Sequence, residues 1–436
     1  MRRTALLAGV AIACIAAALA EFDGEFPASL NHPAIEYRTR PVNDSVAELN
    51  RKILEGKIHL KFESAYGYLR STLEALGIPI ESQIAVFSKT SLQADRISPR
   101  TPRTIFFNDL VTVAWMRDGF IELAAQDPQQ GVIFYTLDQK PIDQPVFKRE
   151  NERCLRCHLS DASLGVPGMM VRSMYTASDG RPLLLYGGYT SDHRSPLDER
   201  WGGWYVTGKH SVGRHLGNAL MTDLDQPESV VTNRTLHLES LKDKCDRDAC
   251  LSPYSDIAAL MVFDHQMRMS NLLTRMGWEI RVAFYQKQTA NRLLTLAPDN
   301  RRNLSGLLDD TAKELVDYLL FVDEAPLAGR IESTSGFTEK FARPGPHDKR
   351  GRSLRSLDLE HRLMRYRCSY MIYADAFDGL PGEAREAIYK RMWQILSGEE
   401  KADKYARLTL ADRRAIVEIL RETKNGLPAY FQPVTR

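Results

Sequence analysis

Thr104-Ile105-Phe106-Phe107, Val111-Thr112-Val113-Ala114-Trp115, Phe120-Ile121-Glu122-Leu123-Ala124 and Val132-Ile133-Phe134-Tyr135-Thr136-Leu137 follow one another within 34 residues. Each run is rich in β-branched and aromatic side chains, which suit a pleated, half-buried surface. Asn108-Asp109, Asp118-Gly119 and Asp127-Pro128 stand between them. Asn, Asp and Gly tolerate turn conformations, and their side chains bond nearby backbone. Gln83-Ile84-Ala85-Val86-Phe87-Ser88 precedes the series, separated by Ser98-Pro99, and Asp138-Gln139 closes it. Short strands joined by tight turns predict an antiparallel sheet.

Strand signals resume further on. Met169-Met170-Val171-Arg172-Ser173-Met174-Tyr175 and Arg181-Pro182-Leu183-Leu184-Leu185-Tyr186 flank Ser178-Asp179-Gly180, a hairpin signal, and residues 203–208 read as another strand. Before the sheet lies an irregular arm with Pro27, Pro33 and Pro41, then a helix over 45–76 that Asn43-Asp44-Ser45 caps and Gly77 ends. After it, residues 216–251 are a polar connection. Helices are expected at 255–289, with Ser255 as N-cap, and at 303–323, 358–378, 381–397 and 408–424. Residues 342–352 read as a solvated basic loop. The fold class is therefore α+β. A leader occupies 1–20, a β-rich domain with an N-terminal helix 21–215, a linker 216–251 and an α-helical domain 252–436.

The start of the chain reads as an export signal. Arg2 and Arg3 precede an uncharged apolar stretch from Ala5 to Ala20 that ends in the cleavable pattern Ala18-Leu19-Ala20. The expected location is periplasmic or otherwise exported. Losing Arg2 and Arg3 with the leader lowers Lys plus Arg from 58 to 56, equal to Asp plus Glu. A neutral chain does not suggest nucleic acid as a partner. No other apolar run approaches the ~20 residues of a membrane span.

Cys154-Leu155-Arg156-Cys157-His158 sits mid-chain, between the two groups of strands. Two thiols three positions apart, followed by an imidazole, suit covalent attachment to two vinyl groups of one porphyrin edge, with the histidine carried under the ring. A zinc half-site or a redox CxxC is the alternative. Zinc needs further ligands, and no second CxxC or HxxxH pair is present. On these five residues the chain resembles the c-type cytochromes. The resemblance implies one covalent haem c, anchored by Cys154 and Cys157, with His158 as proximal iron ligand. Strands on both sides of the motif resemble PAS-like, sheet-based haem c sensor domains.

A haem also calls for an aromatic wall, cationic donors for its propionates and a sixth ligand or an open face. The stretch 190–210, with Trp201 and Trp204, is dense in such residues. Arg172, Arg194 and Trp204 are candidate cofactor contacts, beside Arg181, Arg200 and Arg214. His210, His193 and His215 are the nitrogen candidates for the sixth ligand, His210 foremost, and Met169, Met170 and Met174 the sulfur candidates. His265 and Met269 form an i, i+4 pair, read first as core. Cys245 and Cys250 are read as a small-loop disulfide in an oxidising compartment, and Cys368 as a buried inert thiol. The expected function is one-electron transfer by an exported monohaem protein with a redox partner protein. The alternatives are a haem-based sensor or small-ligand module, and a haem peroxidase-type enzyme using His193-Arg194 or Arg214-His215.

Overall fold

The computed structural model describes residues 29–211, 213–222, 237–293 and 301–434. The expected leader lies outside them, as does the stretch of the connection that holds Asp223, Asp225, Pro227 and Asn233. The fold is α+β, an antiparallel sheet region followed by a helical one.

Two short helices precede the sheet: α1 (Ser45–Leu54) and α2 (Leu69–Ala75). The single helix expected over 45–76 is thus broken. Gly56 takes φ +69° just past the first helix and Gly67 takes φ +57°, conformations that stop a right-handed helix. Asp44 caps α1, accepting from Val46 N (2.9 Å) and Ala47 N (3.0 Å), and receives the Tyr135 hydroxyl at 2.6 Å. The cap therefore also docks the helix on the sheet.

The strands run β1 (Ile84–Val86), β2 (Arg103–Phe107), β3 (Val111–Trp115), β4 (Ile121–Asp127), β5 (Gly131–Leu137) and β6 (Lys148–Arg149). The turns between them use the anticipated residues. Asn108 Oδ1 accepts from Leu110 N and Val111 N, both at 2.9 Å. Asp118 takes φ +61°. Asp127 Oδ1 accepts from Gln129 N and Gln130 N, both at 2.8 Å. After the one-turn helix α3 (Leu155–His158) come β7 (Val171–Ser173), β8 (Tyr189–Ser191), β9 (Trp204–Tyr205) and β10 (Lys209–His210). β7 and β8 pair apart from the main sheet. The strand expected over 181–186 is cut to one antiparallel bridge, Pro182 opposite Thr176, with Leu183 N donating to Tyr175 O at 2.8 Å, and the chain then turns at Leu184–Tyr186. The hairpin turn survives, with Ala177 N donating to Arg181 O at 2.8 Å.

The main sheet has seven strands in the order β6-β5-β4-β3-β2-β1-β9, every neighbouring pair antiparallel. β9 closes the edge beside β1, and one residue covers its outer side. Asn218, at φ +67°, donates its N–H to Trp204 O (2.8 Å), accepts Val206 N on Oδ1 (2.7 Å) and gives Nδ2 to Val206 O (2.8 Å).

The helical half begins with α4 (Ile257–Leu293), 37 residues long, then α5 (Arg301–Leu319). β11 (Ile331–Glu332) pairs with β10. It is followed by α6 (Phe337–Ala342), α7 (Asp375–Asp378), α8 (Gly382–Ser397) and α9 (Leu410–Thr423). The helix expected over 358–378 is absent up to Tyr370. Leu359 takes φ +61°, and Asp358 Oδ1 bonds Glu360 N and His361 N, which commits the segment to a turn. The basic loop is anchored rather than free: Arg350 and Arg352 both bond Glu418 of α9.

Both faces of the sheet are covered. Phe106, Val113, Trp115 and Leu123 pack with α1, α2 and Tyr37, while Ile105, Phe107 and Ala114 share a core with α4 and the later helices. That second core runs unbroken across residue 251. No helix among the described residues is long and apolar enough to cross a membrane.

The N-cap of α4 is Asp256, not Ser255. Asp256 Oδ1 accepts from Ala258 N at 2.8 Å, and its Oδ2 accepts from Ser333 Oγ, Thr334 N, Ser335 N and Ser335 Oγ at 2.8–3.1 Å. Ser255 Oγ instead joins β1 to β9, accepting from Ala85 N (2.9 Å) and donating to Tyr205 O (2.6 Å). Asp256→Ala removes a cap and four further hydrogen bonds from part-buried donors, so it should cost about 2 kcal/mol in urea unfolding; a loss under about 0.5 kcal/mol would contradict this role.

Candidate functional site

The Cys-Leu-Arg-Cys-His stretch forms a single helical turn just after β6. His158 N donates to Cys154 O at 3.0 Å, and Cys157 N to the same oxygen at 3.2 Å. This turn sets the two cysteines three positions apart on one helical face. Leu155 is buried and pins the turn to the core, Cys154 is half-buried and Cys157 is exposed. Both cysteines are free thiols. Burial, then the carboxylates of Glu122 and Glu150, push the Cys154 thiol up to about 12. A thioredoxin-type cysteine requires the opposite shift, toward a stable thiolate.

His158 is held at one nitrogen. Its Nδ1 lies 2.9 Å from Gly168 O, and Gly168 N donates back to His158 O at 3.0 Å. A carbonyl can only accept, so the proton resides on Nδ1 and the Nε2 lone pair is left for a ligand. Desolvation draws the ring's pKa down to about 4, which keeps it neutral near pH 7. The ring packs against Phe134 of β5, centroids 4.9 Å apart. A carbonyl behind a ligating histidine is the usual way to fix its tautomer and orientation.

Gly168 is itself fixed from three sides. Asn271 of α4 clamps the next peptide, accepting Met169 N on Oδ1 (3.2 Å) and donating Nδ2 to Met169 O (2.7 Å). Val132 N of β5 donates to Pro167 O at 3.1 Å. A Cβ at position 168 would stand 2.1 Å from Asn271 Oδ1, so a side chain there would push the Asn271 clamp aside.

The other candidates divide. Arg172 is exposed on β7, four residues beyond Gly168, and Trp204 Nε1 donates to its carbonyl at 2.8 Å. These two flank the segment that leads away from the site. Arg194 is bound to Asp192 by two hydrogen bonds (3.0 and 2.7 Å) and lies over the Tyr318 ring.

His193 and His265 form a buried pair, Nδ1 to Nδ1 at 2.7 Å, packed on Tyr318 and Phe321; His265 Nε2 also meets Ser369 Oγ at 2.7 Å. His210 and His215 form another, Nε2 to Nε2 at 3.3 Å, with the His237 ring against His210. None of these ring contacts involves residues 154–158. Met174 is buried, while Met169 and Met170 are half-buried and follow Gly168 directly. Cys245 and Cys250, expected as a disulfide, are two thiols in hydrogen-bond contact with no S–S bond, and that contact with burial raises the Cys250 thiol well above its ordinary range. Cys368 is a fully buried thiol. Among the described residues no group of three or more His, Cys, Asp or Glu is arranged to hold a metal ion.

Phe134, Gly168, Asn271 and an ion pair, Arg103–Glu122 (2.6 Å), escaped the reading of the sequence. Gly168 and Asn271 lie 103 positions apart and carry no local pattern. A charged residue in β4 reads as solvent-facing when only one covered face is assumed. The chain matches no protein-family model, no curated protein and no solved structure.

The buried histidine pair makes stability depend on pH. Desolvation lowers His265 to about 3 and holds His193 well below its ordinary value. Unfolded histidine protonates near 6.5, so the native state takes up fewer protons and loses stability as pH falls from 6.5 toward 3. Burial raises Asp264 to about 6, which acts oppositely, lowering stability as pH rises from about 4 to 6. The His265 contribution is isolated by difference. Unfolding free energies of His265→Gln and wild type should converge as pH falls from 6.5 to 4; parallel curves would refute it.

Proposed function

We propose that this chain is an exported monohaem c-type cytochrome-like protein that transfers single electrons to or from a redox partner protein. The observation that carries the reading is the state of His158. Its Nδ1 is tied to Gly168 O at 2.9 Å, while two free thiols stand on the same helical turn. That set fits a covalently anchored haem: two thiols for its vinyl groups and one imidazole with its Nε2 lone pair available. A zinc half-site would need ligands that the described residues do not supply beside it. Bound there, the haem supplies one-electron exchange at its iron.

The protein's own residues do the positioning. Gly168 orients the imidazole, Asn271 fixes Gly168, and Phe134 limits rotation of the ring. Export rests on the pattern in residues 1–20 and agrees with where covalent haem is attached in the c-type cytochromes.

A second reading, a small-ligand-binding haem module like the PAS-like sensors, draws on one observation. His193, His210 and His215, the nitrogen candidates for the sixth ligand, are each in contact with another imidazole. The sixth ligand would then be a methionine sulfur, from Met169, Met170 or Met174, or water or a diatomic molecule.

Production in the periplasm of a bacterium with a c-haem maturation system should yield one haem per chain by pyridine haemochrome. Cys154→Ala/Cys157→Ala should hold no haem after denaturation. A haem-free wild type, or full retention in the double variant, would overturn the proposal. His158→Ala should keep the covalent link and lose the wild-type axial spectrum. Low-spin wild-type iron favours electron transfer, and high-spin iron that takes up CO rapidly favours the sensor reading.

Asn271→Ala should loosen the Gly168 carbonyl and broaden the ligand geometry. The expected result is a mixed-spin spectrum at unchanged haem content; an unaltered spectrum would remove Asn271 from the positioning role.

A further inference from the structure

One charged row crosses the sheet face that carries Phe134. Arg103 of β2 and Glu122 of β4 are joined at 2.6 Å, their side chains 17% and 13% exposed. Ser91 Oγ and Gln93 Nε2 also donate to Glu122, at 3.2 and 3.1 Å. Glu122 is the cross-strand partner of Thr136, whose hydroxyl bonds Glu150 Oε1 at 3.1 Å, and Glu150 N donates to Phe134 O. Cross-strand partners share a face, as do residues two apart on a strand. Glu122, Thr136 and Phe134 therefore point to the same side, the side on which His158 rests. A held, largely desolvated ion pair costs stability to keep.

We infer that the Arg103–Glu122 pair is a pair of opposed charges set beside the haem, each of which shifts its reduction potential and is offset by the other. The inference rests on the haem reading above. Reduction lowers the charge at the iron by one. The Glu122 carboxylate therefore favours the oxidised form and the Arg103 guanidinium the reduced form, and each offsets the other.

Mediated redox titration of the loaded protein with dithionite and ferricyanide tests this. Glu122→Gln should raise the potential, changing the oxidised-to-reduced ratio about tenfold at a fixed poise, equivalent to about 59 mV. Arg103→Gln should lower it by a similar amount. The double variant should return within about twofold of wild type, and Arg103→Lys, which keeps the charge, should stay there. A purely structural pair would not give shifts of opposite sign that cancel.

Single variants that shift in the same direction, or that stay within about twofold of wild type with native circular dichroism, would overturn the inference. If Glu122→Gln does not fold, Glu150→Gln at the end of the row serves in its place. It should also raise the potential, and no shift there counts against the inference equally. A wild type without covalent haem is a distinguishable result, since it defeats the haem reading on which the inference rests.

Discussion

The central helix is buried nearly all round, and this burial governs the rest of the molecule. Between Ser255 and Ile280 only Arg268 and Arg275 are not fully buried. A helix can satisfy its backbone internally, but its polar side chains must find partners when water is excluded. Here those partners are the other elements. Asp256 holds residues 333–335, and Asp264 receives Ser191 Oγ (2.9 Å) and Trp201 Nε1 (3.0 Å). His265 meets His193 and Ser369, and Gln266 joins Asn108 O to the Tyr370 hydroxyl, both at 2.7 Å. Each of these residues ties one or two other elements to the helix. The sheet, the second hairpin and the C-terminal helices are thus registered against one axis by groups that cannot be left unpaired.

The candidate site inherits its geometry from that axis. Asn271 lies seven residues after Asp264 and so close to the same helical face. It fixes Met169, which places Gly168, which orients His158. The exposed cysteine turn itself is short, and its only buried member is Leu155. Its chemical readiness comes from a helix more than a hundred residues later in the chain.

Much of the sheet was legible because its signals are local. Asn108, Asp118 and Asp127 each make the turn that their side chains favour, and the runs between them are strands. The cysteine–histidine spacing likewise contains its own chemistry. What was not legible depends on partners distant in sequence. Gly56 and Leu359 break helices whose apolar spacing looks continuous, through backbone conformations that periodicity does not encode. Ser255 has the chemistry of a helix cap but is taken by two strands, leaving Asp256 the role. The histidines around 193–215 are close in sequence and rich in suitable chemistry. Burial sorts them into separate pairs, and spacing could not have shown which imidazole faces which.

Asn218 at the margin of the sheet has a consequence for how copies of this protein meet. An open edge of N–H and C=O groups invites another chain to add a strand. Here a single amide side chain and its own backbone N–H occupy Trp204 O, Val206 N and Val206 O. The opposite edge is only Lys148–Arg149, two residues long and cationic. One margin is capped by an imitation strand; on the other, Lys148 is held by Asp138 and Arg149 by Tyr37 O. The Asn218 margin of the main sheet is thereby denied to strand addition at Trp204 and Val206, and a copy that meets it finds an amide side chain where open backbone would stand.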